Sequence, residues 1–165
     1  MKHSFEDLNE IVHALRAEDG CPWDKAQTHM SIRTCMIEEA AEAIDAISLL
    51  EEKGNPDALR EELGDVLFQV VLHSTMAEEE GYFTLDDVVS DISEKMIRRH
   101  PHVFGVYETD GNGTELRDWD RIKQYECSKK TWKESKIRKK RRKWLTYLFV
   151  KLLSFGKAVK MPFFP

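Results

Sequence analysis

Residues 37–71 read IEEAAEAIDAISLLEEKGNPDALREELGDVLFQVV, and this stretch decides the fold. Apolar residues recur every three or four positions on both sides of Gly54, which is the spacing of amphipathic helices. Glycine is typical of a helix end, and Asn55 followed by Pro56 is typical of a helix start. The stretch therefore predicts two consecutive helices, over about residues 31–52 and 56–80, joined by a short turn.

The same spacing predicts which side chains of these two helices face the core. On the first helix they are Ile32, Met36, Ile37, Ala40, Ile44 and Ile47. On the second helix they are Leu59, Leu63, Val66, Leu67, Val70 and Val71.

Two further helices are predicted on either side of this pair. Residues 4–17 have apolar side chains at helical spacing, whereas residues 18–24 break the pattern and predict a loop. Thr84 with Asp87 three residues later is typical of a capping box, so a helix should begin there and end before Pro101. No segment alternates convincingly like a strand, and the predicted fold is therefore an all-α helical bundle.

Carboxylates recur along both central helices. Residues three or four apart share a helix face, so Glu39 pairs with Glu42, and Glu62 pairs with Asp65. Four carboxylates on facing helices repel one another unless a cation lies between them, and Mg²⁺ takes such oxygen ligands together with water and substrate phosphates. The spacing is compatible with a metal site for nucleotide hydrolysis, and equally with a solvated acidic face.

Three cations, Lys95, Arg98 and Arg99, lie on or near one face of the last predicted helix. Positive groups near a metal-bound triphosphate would neutralise its charge. The alternative is that they complement the helix dipole at its C-terminal end.

Trp23 has two interpretations as well, since its ring could stack on a base or pack its own loop.

The composition indicates a single globular domain without a disulfide or zinc framework. The chain has 165 residues and three widely spaced cysteines. The N-terminal residues lack the apolar segment of a signal peptide, and no apolar run is long enough to span a bilayer. These features predict a cytoplasmic protein.

Charge is distributed unevenly along the chain. Residues 129–165 contain 13 lysines and arginines against one acid, Glu134, whereas the net charge of the whole chain is −5. We therefore expect an acidic folded domain over residues 1–128 and a basic, partly apolar tail over residues 129–165. Such a tail can bind an acidic surface, nucleic acid or an anionic membrane, or it can fold back onto the acidic domain.

Four motifs follow one another along the chain: GCPWDK at 20–25, EEAAE at 38–42, EELGDVLFQVV at 61–71 and KMIRRHPHVF at 95–104. In this order they resemble the motifs of the MazG-type nucleoside triphosphate pyrophosphohydrolases. The resemblance covers about residues 5–126 and ends near Trp119. It implies an all-α enzyme that uses Mg²⁺, with Mn²⁺ as the alternative ion, to cleave a nucleoside triphosphate into the monophosphate and pyrophosphate.

The resemblance also implies roles for individual residues. Four residues match the metal ligands: Glu39, Glu42, Glu62 and Asp65. Glu38 matches an acid that orients or deprotonates the attacking water. Glu38 and Glu39 are the expected catalytic residues. The expected substrate-binding residues are Lys95, Arg98 and Arg99, which match phosphate-holding positions, and Trp23 and Lys25, which lie near the expected nucleotide entrance. A homodimer or a dimer of dimers is implied as the assembly.

Two other functions are compatible with these motifs. A phosphoribosyl-ATP pyrophosphohydrolase has a related helical fold and acidic motif. A catalytically silent binding module, with the basic tail holding RNA or a protein, is the non-enzymatic alternative. The intact set of four ligand positions argues against the second.

Overall fold

A computed structural model describes residues 2–129 of the chain. Its helices are α1 (Phe5–Arg16), α2 (Pro22–Ala26), α3 (Cys35–Lys53), α4 (Pro56–Glu79), α5 (Leu85–Arg99), α6 (Pro101–Phe104) and α7 (Trp119–Lys129). The described residues contain one isolated antiparallel bridge, between Thr109 and Glu115, and no strand. The prediction of an all-α fold is confirmed.

Local capping fixes the helix starts that the sequence predicted. At α1 the Ser4 hydroxyl accepts from the Asp7 backbone N–H at 3.1 Å, and the Asp7 carboxylate accepts from the Ser4 backbone N–H at 2.7 Å. Asn55 caps α4 by accepting from the Asp57 backbone at 3.1 Å. Thr84 and Asp87 form the same reciprocal pair before α5. These bonds satisfy backbone N–H groups that a helix start otherwise leaves without partners.

The core of residues 1–93 lies where α1 and the segment before α3 meet α4. Its buried side chains are Val12, Ile32, Cys35, Val71, Leu72, Met76 and Leu85. Each large apolar side chain buried in this way contributes about 1.5–3 kcal/mol to folding. Helices α3 and α4 are joined by only Gly54 and Asn55 and pack along most of their length as a helical hairpin.

The arginine at the end of α1 connects three helices. The Arg16 side chain is only 7% exposed, and it donates to both carboxylate oxygens of Glu79 on α4, at 2.8 and 2.6 Å. Its remaining Nη1 donates to the backbone carbonyls of Asp24, in α2, and Gln27. One guanidinium therefore holds α1, α2 and α4 together.

Some expected details differ in the structure. The last three residues of the predicted loop, 22–24, lie in the short helix α2, because Pro22 can occupy a first helical position. The first central helix begins at Cys35, four residues later than predicted, since Ser31 and Thr28 form a turn through their own side chains.

The prediction of which side chains of the two central helices face the core was partly wrong. Ile44 and Ile47 are 40% and 48% exposed, and Leu63 and Leu67 are 53% and 39% exposed. Small residues, Ala43 and Ala46, are buried on α3 instead. The apolar stripe of each helix therefore includes side chains that the described part of this chain leaves exposed.

The chain divides into two units, Met1–Ser93 and Glu94–Pro165, and the described part of the second ends at Lys129. The predicted tail beyond that residue lies outside the described residues. Among the described helices, none is long and apolar enough to cross a membrane.

Candidate metal centre

Helices α3 and α4 bring three of the four predicted metal ligands together because these acids share stripes with buried residues. On α3, Glu39 lies four and seven positions before the buried Ala43 and Ala46. On α4, Glu62 lies seven positions before the buried Gln69. Residues at these separations share a helix face, so each stripe places its acids at the packed hairpin.

Three carboxylates form what we call the acidic cluster: Glu39, Glu42 and Glu62. Each offers one oxygen, and these oxygens lie within 4.8 Å of one another. Glu39 and Glu62 are half-buried, and Glu42 is exposed. Three oxygen ligands at this spacing from two helices suit a hard divalent cation.

Burial and neighbouring negative charge raise the pKa of two carboxyl groups in the acidic cluster, Glu39 and Glu62. The pKa of Glu39 is raised to about 7, first by burial and then by the negative charges of Asp65, Glu42, Glu62 and Glu38. Burial likewise raises the pKa of Glu62, with contributions from Glu42 and Asp65. Asp65 lies outside the three-oxygen cluster, yet its charge acts on both of these groups.

A buried oxygen of Glu62 gives a separate test of whether a cation fits. Its Oε2 atom is buried, and within residues 2–129 no hydrogen bond to this atom meets the usual distance and angle limits. A buried carboxylate oxygen without a partner is costly, and a bound cation would remove that cost. The donor set, the spacing and this oxygen all fit Mg²⁺ or Mn²⁺.

Glu38, the other predicted catalytic acid, is half-buried next to Glu39 on α3. Its negative charge contributes to the raised pKa of Glu39 and of the Cys35 thiol. Its carboxylate is therefore close enough to influence the cluster, although it is not one of the three grouped acids. Its role with water stays a prediction.

The predicted cations lie in the second unit. Lys95 is half-buried on α5. Arg98 and Arg99 both donate to Glu126 on α7, and Arg98 also lies 4.0 Å from Glu108. The sequence reasoning missed Glu126, because its partners are 27 and 28 residues away and no local spacing links them.

Trp23 and Lys25 are placed on α2 of the first unit, and both side chains are exposed. Half of Trp23 is accessible, at 52%. Hydrogen bonds from Arg16 lower the pKa of Glu79, and the positive charge of Lys25 adds to this effect. Their predicted contacts with a nucleotide remain predictions.

Comparison with known proteins identifies the domain that carries these acids. Residues 27–104 match the MazG nucleotide pyrophosphohydrolase domain, and this range includes the whole acidic cluster. The chain contains a MazG nucleotide pyrophosphohydrolase domain. The MazG domain also spans Asp65, Lys95, Arg98 and Arg99, whereas Trp23 and Lys25 precede it.

Curated relatives agree with this assignment. The nucleoside triphosphate pyrophosphohydrolase/pyrophosphatase MazG of Thermotoga maritima is 49% identical over 133 residues, which are 81% of this chain and 48% of the relative. A nucleoside triphosphate pyrophosphohydrolase of Escherichia coli K12 is 43% identical over 129 residues, 78% of this chain and 48% of the relative. YabN of Bacillus subtilis, named as uncharacterized, is 48% identical over 75% of this chain and 24% of its own length. The chain thus spans about half or less of these relatives.

A solved structure supports the fold. The crystal structure of a mazG-related protein from Thermotoga maritima matches with a TM-score of 0.50 and 23% identity. The match covers 79% of this chain and 97% of that protein. The helical architecture described above is therefore found in a known MazG-related fold.

Proposed function

We propose that this chain hydrolyses nucleoside triphosphates to the monophosphate and pyrophosphate, with Mg²⁺ held by Glu39, Glu42, Glu62 and Asp65. The observation that carries the proposal is the acidic cluster, whose three oxygens lie within 4.8 Å in the MazG domain. The pKa of Glu39, raised to about 7 by burial and then by neighbouring negative charges, supports it, since strongly shifted pKa values cluster at functional sites. The names of the relatives point to the same reaction.

The chain's own groups have distinct parts in this proposal. Mg²⁺ held by Glu39, Glu42, Glu62 and Asp65 would supply positive charge to the triphosphate and would make water near it more acidic. Glu38 orients or deprotonates the water that attacks the α-phosphorus. Lys95 and Arg98, with Arg99, stabilise the negative charge on the departing pyrophosphate.

Product analysis tests the reaction class. The full chain is incubated with a panel of canonical and modified nucleoside triphosphates and with phosphoribosyl-ATP, with and without Mg²⁺, and products are resolved by ³¹P NMR. We expect monophosphate and pyrophosphate from nucleoside triphosphates only when Mg²⁺ is present. Diphosphate with inorganic phosphate, turnover of phosphoribosyl-ATP alone, or no turnover beside salt-sensitive RNA binding would each contradict the proposal.

We further propose that the exposed apolar side chains of the α3–α4 hairpin are covered by a second copy of the chain. Ile44 and Ile47 on α3 and Leu63 and Leu67 on α4 are each at least 39% exposed. Apolar side chains concentrated on an exposed face are typical of homodimer interfaces. Light scattering should give a dimer or a dimer of dimers for the wild type and a monomer for Ile47→Lys with Leu67→Lys. Met30→Lys is the control, since Met30 is exposed elsewhere.

A further inference from the structure

Arg98 and Arg99 converge on one carboxylate although they are consecutive residues. Neighbouring positions on a helix project about 100° apart, so two adjacent arginines do not face each other. Both nevertheless bond Glu126 of α7. Arg98 reaches Oε1 through Nε at 2.9 Å and Nη2 at 2.8 Å, and Arg99 reaches Oε2 through Nε at 3.2 Å and through Nη2. The carboxylate therefore draws two positive groups to one point.

The bonds to Glu126 occupy only one edge of each guanidinium. A guanidinium has five N–H donors. Glu126 accepts hydrogen bonds from Nε of both arginines and from Nη2 of Arg99, and Nη2 of Arg98 lies 2.8 Å from its Oε1 atom as an ion pair. Within residues 2–129, the structure records no hydrogen bond from Nη1 of Arg98 or Arg99. Both arginines can thus keep Glu126 and still donate to a second anion.

Helix α7 holds Arg99 by a second contact. The Arg99 guanidinium lies over the Trp119 ring, 4.9 Å from its centre, and the His100 ring lies 5.1 Å from the same ring. Arginine over an aromatic face is stabilised electrostatically, which adds to its orientation. The Glu126 side chain is only 15% exposed, so its surroundings restrict the movement of its carboxylate.

We propose that Glu126 is a positioning residue, which gathers Arg98 and Arg99 into a paired receptor for the pyrophosphate portion of the nucleotide. The inference rests on the proposed function, because it assumes that these arginines hold phosphates. Glu126 does not touch the substrate and acts through the two guanidinium groups. It also gives α7, which follows the matched MazG domain, a part in substrate binding.

The direct test compares pyrophosphate binding by Glu126→Gln and wild-type full chain, using calorimetry with Mg²⁺ present. Gln has nearly the same shape but no charge, so it cannot hold both guanidinium groups. We expect binding to weaken, and KM for the nucleoside triphosphate to rise, by roughly ten- to hundredfold, with a smaller effect on kcat. Glu108→Gln is the matched control, since Glu108 lies near Arg98 alone, and it should change little.

Three results would overturn the proposal: unchanged binding by Glu126→Gln, tighter binding, or an equal loss in Glu108→Gln. Tighter binding would mean that Glu126 merely competes with phosphate for the arginines. Pyrophosphate binding needs no turnover, so Glu126-dependent binding without hydrolysis would contradict only the proposed function. Hydrolysis with unchanged KM in Glu126→Gln would contradict only this inference.

A measurement on the wild-type chain serves if Glu126→Gln fails to fold. The Nε–H signals of Arg98 and Arg99 are followed by NMR during titration with pyrophosphate and Mg²⁺. We expect both signals to shift while staying protected from exchange with water, because the bonds to Glu126 persist. Loss of protection at either Nε–H would show that the carboxylate is displaced, which contradicts a positioning role.

Discussion

His29 and His73 are joined nitrogen to nitrogen, with their Nδ1 atoms 2.8 Å apart. The ring planes differ by only 7°, and the ring centres are 5.1 Å apart. Such a contact requires one ring to donate a proton and the other to accept it, so the two rings cannot both be charged without losing the bond. The pair links the segment before α3 to α4 within the first unit.

This pair makes stability depend on pH. Burial lowers the pKa of His73 below its ordinary value of 6.5, and His29 lowers it further. The unfolded chain then binds a proton more readily than the folded chain, so stability is fully present above about pH 6.5 and falls as the pH drops below it. Between about pH 7.5 and pH 5.5, the free energy of unfolding measured with urea should fall less for His73→Gln than for the wild type. Equal losses would exclude His73 as the cause.

In the metal-free protein, Glu39 should make stability depend on pH in the opposite direction. Its pKa is raised from 4.5 to about 7, so the folded chain retains a proton that the unfolded chain releases. This contribution is fully present below about pH 4.5 and is lost as the pH rises through about 7. After allowance for solvent screening, we expect a loss on the order of 1 kcal/mol by about pH 8.

Thermal unfolding of the wild type and Glu39→Gln, in chelator and then in excess Mg²⁺, checks this expectation. Glu39→Gln should not lose stability at high pH in the way that the wild type does. Mg²⁺ should stabilise the wild type much more than Glu39→Gln. Parallel curves for the two proteins would show that Glu39 neither carries the extra proton nor contributes to the metal site.

Asp65→Ala should abolish most of the proposed hydrolysis. Among the neighbouring charges, that of Asp65 raises the pKa of Glu39 most, and in the proposed mechanism Asp65 shares the cation with the acidic cluster. We expect kcat to fall at least about a hundredfold, because a catalytic metal supplies several kcal/mol of transition-state stabilisation. Steady-state pyrophosphate release measures this. Glu61→Gln, an exposed neighbour on the same helix, is the control and should stay close to the wild type.

Gly20 and Gly64 should respond in opposite ways to alanine. A Cβ at Gly20 would collide with the backbone carbonyl oxygens of Ala14 and Leu15, whereas nothing lies within 4 Å of one at Gly64. We expect Gly20→Ala to lose about 1–3 kcal/mol by urea unfolding. Gly64→Ala, inside α4, should gain roughly 0.5–1 kcal/mol in the same measurement. A stable Gly20→Ala protein would contradict the close approach of the loop to α1.

Helix boundaries were predictable where a local bond sets them. Gly54 ends α3 with a positive φ of 63°, and Asn55 caps α4 through its own side chain. Thr84 and Asp87 likewise act within four residues. Such signals are contained in neighbouring residues, so the hairpin and the stripe that carries the acids could be derived from the sequence.

Features that depend on distant partners could not be derived in this way. Periodicity predicted that Ile44 and Ile47 share an apolar face, but it does not say whether the same chain covers that face. The contact of Arg98 with Glu126 joins residues 28 positions apart, and the contact of His29 with His73 joins residues 44 apart. Only packing brings these groups together, and packing depends on the whole chain.

Binding of Mn²⁺, followed by electron paramagnetic resonance, tests the acidic cluster as a metal site most directly. Wild-type chain, Glu62→Gln and Glu61→Gln are titrated at neutral pH without nucleotide. We predict saturable binding by the wild type and by Glu61→Gln, and a severe loss in Glu62→Gln, whose buried oxygen would no longer be anionic. Equal binding by Glu62→Gln and the wild type, or no binding by the wild type, would contradict the account.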